Sequence, residues 1–216
     1  MQTYARLLAG LRRFRYEIFP SRRDVYEQAA REPQHPHALI VTCSDSRIDP
    51  ELITQSGPGE IFVARNIGNL VPPYGQKGDA VAAVIEFAVT SLGVKDIVVC
   101  GHTDCGAMRG LLESETLAGY PATAEWLRYA EAALSTVRCR DATLQEPCTL
   151  CELIEENVLL QITHLKTHPS VAGGLARDTL SIHGWIYDIG RGDVLVYDPV
   201  PGRFLSIDEI PQPVEV

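Results

Sequence analysis

The sequence predicts an α/β domain with a mostly parallel central β-sheet, an antiparallel edge strand, helices flanking the sheet and an N-terminal helical arm. Three observations lead there. Two short β-branched runs, Leu39-Ile40-Val41 and Ile97-Val98-Val99, read as buried strands that deliver reactive residues at their carboxyl ends. Segments with apolar residues three and four apart separate such runs, so strands and helices alternate. Near the carboxyl terminus, Gly190-Arg191-Gly192-Asp193 is a tight turn with glycines where positive φ is needed, and it returns the last strand antiparallel to its neighbour.

In chain order, Leu7, Leu11, Phe14 and Ile18 recur at helical spacing, and the helix must stop near Pro20. Asp24 to Arg31 forms a second short helical stretch. These residues, 1–33, are read as the arm, packed on its own core or lying on a partner subunit; residues 34–216 are read as the catalytic domain. His35 and His37 sit in an exposed turn before a strand over 38–42. Asp49 caps a short helix with Pro50 at its first position, and residues 60–65 form a strand followed by a loop rich in Gly, Asn and Pro. Asp79 caps a helix that Gly93 closes; Val81, Val84, Ile85, Ala88, Val89 and Leu92 form its apolar stripe, and Ala82, Ala83 and Phe87 widen it nearly all round, as suits a helix buried between layers or at a subunit contact. Residues 95–100 form the next strand and Cys105 opens a helix. Further helices are expected over 123–137, along Leu150 to Leu165, and over 170–177, with a surface loop over 139–148. Strands over 180–189 and 194–197 complete the sheet.

Composition narrows the function. With 19 Lys and Arg against 28 Asp and Glu, the formal net charge of −9 argues against nonspecific nucleic-acid binding and against an anionic membrane surface. A small or neutral substrate fits better. Arg12 and Arg13 interrupt the first apolar residues, which leaves no signal-peptide core, and no run reaches transmembrane length. The six cysteines of so large a chain are expected as ligands or reduced thiols in a cytoplasmic protein.

The chemistry lies in Cys43-Ser44-Asp45-Ser46-Arg47 and Cys100-Gly101-His102-Thr103-Asp104-Cys105-Gly106. Cys43, His102 and Cys105 together offer two thiolates and an imidazole, the ligand count of a catalytic zinc site that keeps its fourth position for water. The bare spacing suits two buried cysteines and a core histidine equally well. What favours a metal is Asp45 and Arg47, because alternate residues of an extended segment share a face. A carboxylate held by a two-pronged guanidinium stays ionised and oriented, and it can accept a hydrogen bond from water on the metal. Cys148 and Cys151, with Cys139 as their nearest soft partner, lack a histidine at zinc-finger spacing and are not read as a second site. His164 and His168 are expected to face solvent.

These segments resemble the β-class carbonic anhydrases. Cys43 to Arg47 is similar to their C-x-D-x-R signature and Cys100 to Gly106 to their second ligand motif; Glu60 to Asn66, Asn69 to Tyr74 and Leu180 to Asp188 are similar too. The resemblance implies one zinc ion per chain on Cys43, His102 and Cys105, with Asp45 and Arg47 as the dyad beside a zinc-bound hydroxide that attacks CO2 to give bicarbonate and a proton. It implies that Gln34 hydrogen-bonds bicarbonate, that the backbone of Gly106 assists, and that Phe62 and Phe87 wall the CO2 pocket. Part of that pocket would come from a second subunit of a homodimer or dimer-based tetramer. Many members have tyrosine where Phe87 stands, so a hydroxyl is missing there. Two other readings stay open: a related zinc hydrolase acting on carbonyl sulfide or carbon disulfide, and a closed zinc site with Asp45 as fourth ligand.

One departure bears on regulation. In bicarbonate-inhibited members a tryptophan three residues before the first cysteine helps clamp bicarbonate at a noncatalytic site, and here that residue is Ile40. Arg65 and Tyr187 match other parts of the clamp. Tyr187 also suits a place in the core.

Overall fold

The computed structural model describes residues 2–76, 80–140 and 148–210. Its strands are β1 (Ala38–Cys43), β2 (Ile61–Asn66), β3 (Asp96–His102), β4 (Ser181–Asp188), β5 (Asp193–Asp198) and β6 (Arg203–Ser206). They form one sheet in the order β2-β1-β3-β4-β5-β6. The first four run parallel, and β5 and β6 are antiparallel to their neighbours. The predicted class is the observed one, with two antiparallel strands at the edge in place of one. Four-residue β6 carries no alternation and follows a turn at Gly202 (φ 68°), so its sequence holds too little pattern to announce a strand.

Every residue of β1 is buried, as its continuous apolar run requires of a strand covered on both faces. Burying each of Leu39, Val41, Ile97 and Val99 is worth about 1.5–3 kcal/mol. The helices are α1 (Gln2–Arg13, prolonged by a wider turn over Phe14–Ile18 and by Phe19–Ser21), α2 (Arg23–Arg31), α3 (Pro50–Thr54) and α4 (Ala80–Glu86, prolonged by Phe87–Leu92). After β3 come α5 (Gly106–Leu112), α6 (Pro121–Leu127), α7 (Glu131–Arg140), α8 (Cys148–Leu165) and α9 (Pro169–Ala176). Among the described residues, no helix is long and apolar enough to cross a membrane.

Helix α8 lies against β3 and β4 because two glycines make room for it. A Cβ at Gly101 would stand 2.9 Å from Val158 Cγ2, and one at Gly184 would stand 3.0 Å from Val158 Cγ1. Forcing a methyl into either position costs about 1–3 kcal/mol. The close seat sets the height of α8 above the strand that carries His102.

Several local expectations hold and others change. Asp49 caps α3 through Leu52 N at 3.2 Å, and Gly93 closes the helix before β3 with φ 69°. The proposed cap at Asp79 lies outside the described residues, as do residues 141–147 of the expected loop. The helix expected over 123–137 is two helices, α6 and α7, with a tight turn at Arg128–Ala130 that keeps Leu127, Ala130, Leu134 and Val137 all in the core. Helix α4 buries one face within the chain, with Val81, Ile85 and Ala88 buried, whereas Ala83 and Phe87 are exposed, so it is not enclosed between layers of its own chain. In the turn after β4 only Gly192 needs positive φ (68°); Gly190 is fixed instead by Asp188 Oδ1, which accepts from its amide at 2.9 Å.

The arm does not lie on the core of its own chain. Leu7 and Leu11 are 63% and 65% exposed, and α2 buries no residue. Phe14, Phe19 and Tyr26 pack on one another instead.

Candidate metal centre

Cys43 ends β1 and His102 ends β3, and these strands are neighbours in parallel register with Thr42 opposite Cys100. Thr42 Oγ1 donates to Cys100 O at 3.0 Å and pins the two strand ends together. Beyond His102 the chain bends through Asp104, whose φ is 55°, and Cys105 becomes the residue that enters α5. The donor atoms of Cys43, His102 and Cys105 thereby lie within 4.8 Å of one another, all three residues buried. Among the described residues this is the one group of three or more His, Cys, Asp or Glu side chains so arranged.

The donor set fits a zinc-like cation on two physical grounds. The Nδ1 of His102 pairs with Thr103 O at 2.9 Å, so the proton belongs on Nδ1 and the lone pair of Nε2 points into the cluster. That Nε2 is fully buried and has no hydrogen-bond partner. Second, one thiol holds its proton toward the other. Cys105 bonds to Cys43 and, with His102 and the Gly68 amide, brings the Cys43 thiol down to about 4, while the same contact and burial push Cys105 above its usual range. A divalent cation between the sulfurs would take the place of that shared proton.

Beside the cluster, Asp45 and Arg47 form a two-pronged pair, with Arg47 Nε donating to Oδ1 at 2.9 Å and Nη2 to Oδ2 at 2.8 Å. The Arg47 amide also donates to Oδ1 at 2.9 Å. These bonds, the side-chain ones first, hold the Asp45 carboxyl well below the usual carboxylate range. Oδ2 stands 4.0 Å from His102 Nε2. Arg65 fixes the backbone behind the pair, donating to Cys43 O at 3.2 Å and to Asp45 O at 2.6 Å.

The remaining predicted residues divide between two ends of the sheet. Gly106 begins α5 next to Cys105, and a Cβ there would meet nothing within 4 Å, so the space on its side-chain side is open. Phe62 pairs in register with Leu39, four residues before Cys43 and about 13 Å away along the strand. Phe87 packs on Phe62 with ring centroids 6.1 Å apart. Gln34, exposed, precedes β1 altogether. Within one chain, then, Gln34, Phe62 and Phe87 are not brought to the sulfur cluster. Tyr187 is half-buried against the core. Cys139 and Cys151 are exposed.

The sequence reading missed a polar stripe on α8. Asn157, Gln161, His164 and the following His168 recur at four, three and four residues and hold the backbone of the loop after β2. Asn157 Nδ2 donates to Gly68 O at 3.1 Å, Gln161 Oε1 accepts from Val71 N at 2.9 Å, and His164 Nδ1 pairs with Val71 O at 2.8 Å. His168 Nε2 reaches Pro72 O at 3.0 Å. The expected solvent exposure of the two histidines is therefore wrong: His164 is half-buried, with its imidazolium disfavoured by burial, and His168 is 2% exposed. Helical spacing of polar residues on an apolar helix was the available signal. The gripped loop in turn presents Gly68 N–H to Cys43 Sγ at 3.4 Å.

Comparison with known proteins agrees with this geometry. The profile of the family described as carbonic anhydrase matches residues 38–194. A carbonic anhydrase of Synechococcus elongatus is 45% identical over 207 residues, covering 95% of this chain and 76% of its own. One of Pseudomonas aeruginosa is 44% identical over 206 residues, covering 95% and 93%. Among solved structures, that of the β-carbonic anhydrase CcaA superposes with a TM-score of 0.91 at 42% identity, covering 94% of this chain and 99% of the other. A structure from the work on two tetrameric β-carbonic anhydrases of Sordaria macrospora gives 0.77 at 31% identity, covering 91% and 97%.

Proposed function

The chain belongs to the β-class carbonic anhydrase family, enzymes of CO2 hydration, and on that premise we propose that it hydrates CO2 reversibly at one zinc ion held by Cys43, His102 and Cys105. The observation that carries the reading is the unpartnered His102 Nε2 between two cysteine sulfurs, with a bidentate Asp45–Arg47 pair beside it. Zinc would supply the Lewis acidity that brings the pKa of water toward ~7, less strongly with two thiolates as neighbours.

The chain's own residues do the rest. Asp45 Oδ1 is occupied by Arg47 Nε and the Arg47 amide, whereas Oδ2, the oxygen nearer His102, accepts only from Arg47 Nη2 and keeps a second lone pair, with which it would accept a hydrogen bond from water or hydroxide at the metal and orient it toward CO2. Arg47 keeps that carboxylate ionised and aimed. An open Asp45–Arg47 arrangement favours this over the closed-site reading, in which Asp45 would itself be a ligand. Phe62 and Phe87 wall an apolar pocket for CO2, and the Gln34 amide and the Gly106 backbone hold bicarbonate. Because Gln34, Phe62 and Phe87 sit at the other end of the parallel strands, they serve the metal centre of a second copy, which makes a homodimer the smallest active unit. Two such dimers in a tetramer are compatible with this. The exposed arm over 1–33, ahead of a domain over 34–216, is then free to lie on that second copy. A cytoplasmic location belongs to the same reading, because Cys43 and Cys105 serve as ligands only while they stay reduced.

The test is zinc per chain together with the CO2 hydration rate by stopped flow, with sulfide release from carbonyl sulfide and carbon disulfide measured in parallel. A zinc-loaded chain without hydration activity, or one faster on the sulfur analogues, overturns the assignment.

A further inference from the structure

A guanidinium has five N–H donors, and Asp45 occupies only part of that of Arg47. Arg47 Nη1 donates to Asp104 Oδ2 at 3.1 Å, and Nη2 also reaches Asp104 O at 3.2 Å. The second carboxylate oxygen of Asp104, Oδ1, accepts from Arg109 Nη2 at 3.0 Å. Asp104 thus stands between two guanidiniums and ties the loop after β1 to the loop after β3. Its left-handed backbone (φ 55°) is a conformation that most side chains avoid and aspartate tolerates better than most. It falls between His102 and Cys105, where the chain must bend for both to face one point.

We propose that Asp104 is a positioning residue for the Asp45–Arg47 pair. By holding the far edge of the guanidinium it locks Arg47 onto Asp45, and so keeps Asp45 aimed beside the metal centre instead of joining it. The inference rests on the zinc hydratase reading above. Asp45 Oδ2 already lies 4.0 Å from His102 Nε2, and its bonds to Arg47 are what hold it back. Release of the far edge lets Arg47 swing, and the carboxylate then has a cation as its alternative partner. The side chains of Arg47 and Asp104 are 44% and 59% exposed, so the effect is that of a solvent-screened pair, a matter of several-fold and not of orders of magnitude.

Asp104→Gly removes the carboxylate and accepts the positive φ; Asp104→Asn accepts it and keeps an acceptor oxygen for Arg47. Asp104→Ser provides a second loss of the carboxylate should the glycine variant fold poorly. These variants, the wild type and Asp45→Asn would be compared for zinc per chain, for kcat and KM, and, after cobalt substitution, for visible absorption with and without azide. Azide changes the spectrum only where the fourth position can exchange. Asp104→Gly is expected to keep its metal and its KM, to lose kcat roughly three- to fivefold, and to show a weakened azide response, with Asp104→Asn within about twofold of wild type. Wild-type kcat and azide response in Asp104→Gly and Asp104→Ser, with Asp45→Asn inactive, overturn the role of Asp104 alone. So does a loss of metal that accounts for the loss of rate, since Asp104 would then be a scaffold of the ligand loop. A wild-type chain without metal or hydration activity overturns the underlying reading and this role with it.

Discussion

Gly68 and Cys43 are joined by a backbone N–H that donates to sulfur at 3.4 Å, and the carbonyl of the same glycine is held by Asn157 at 3.1 Å. Removing the Asn157 amide leaves Gly68 O without that partner in a buried place, at about 1–3 kcal/mol, while Gln161 Nε2 loses one bond and keeps Tyr129 O at 3.3 Å. Asn157→Leu is therefore expected to lower thermal stability by several degrees and zinc affinity by about tenfold. Differential scanning calorimetry and a chelator competition check both, and unchanged zinc affinity would detach α8 from the metal centre.

Cys105→Ser should greatly weaken zinc binding, because it removes one of three proposed ligands and the thiol whose proton Cys43 shares. Cys148→Ser should retain zinc in full. Zinc per chain in the two variants decides the matter, and full retention with full activity in Cys105→Ser removes the assignment.

Arg47→Ala should retain zinc and lose hydration rate by about ten- to a hundredfold. Charge is not the reason. Without Arg47 the Asp45 carboxyl rises from its depressed value toward the ordinary ~3.9, and since that is still far below pH 7.5 the group remains ionised. The sign of the shift means the pair's contribution to stability is present above ~3.9 and fades as pH falls through the depressed folded value, so wild type and variant should converge in stability in strong acid. What is lost at neutral pH is aim. Wild-type turnover would reduce Arg47 to a structural ion pair.

The separation of Gln34 from Cys43 predicts complementation. In a mixed dimer of Gln34→Ala and Asp45→Asn chains, one site carries both defects and the other carries neither. Random reassembly of the two inactive variants should thus restore about a quarter of wild-type activity. No recovery after verified chain exchange would show that each chain completes its own site.

Ile40 predicts simple pH behaviour. It is 2% exposed and packs with Val98 and Cys100, and Arg65 is engaged by the carbonyls of Cys43 and Asp45, so neither is arranged to clamp an ion. An isoleucine offers neither an N–H nor a flat aromatic face. A ligand shifts an equilibrium only through unequal affinity for its two states. Hydration rate against pH is expected to be noncooperative at every bicarbonate concentration after correction for product inhibition. A steep cooperative loss on acidification, deepened by bicarbonate, would contradict it.

The parallel sheet, its strand ends and the cluster at Cys43, His102 and Cys105 were legible because they are written locally. Buried strands announce themselves as unbroken β-branched runs, and the three clustered side chains follow those runs within a few residues. Strand β6 was not legible, for a short edge strand needs no alternation once β5 offers it a template. His164 and His168 were misjudged because their partners, the carbonyls of Val71 and Pro72, lie 93 and 96 residues away in sequence. Asp104 went unremarked for a similar reason: its carboxylate is a surface charge until the fold sets Arg47 and Arg109 on either side.

The bonds around the sulfur cluster also have an order in synthesis. Thr42 meets Cys100 across 58 residues, Gly68 meets Cys43 across 25, and Asn157 reaches Gly68 across 89. A chain emerging from the ribosome holds all three proposed ligands as soon as β3 and the start of α5 are out, well before α8 arrives to fix the loop that supports Cys43. The support for the loop at Gly68 thus comes from a part of the chain made after all three proposed ligands, so a chain cut short before α8 would carry the whole donor set and lack the brace on the loop that meets Cys43.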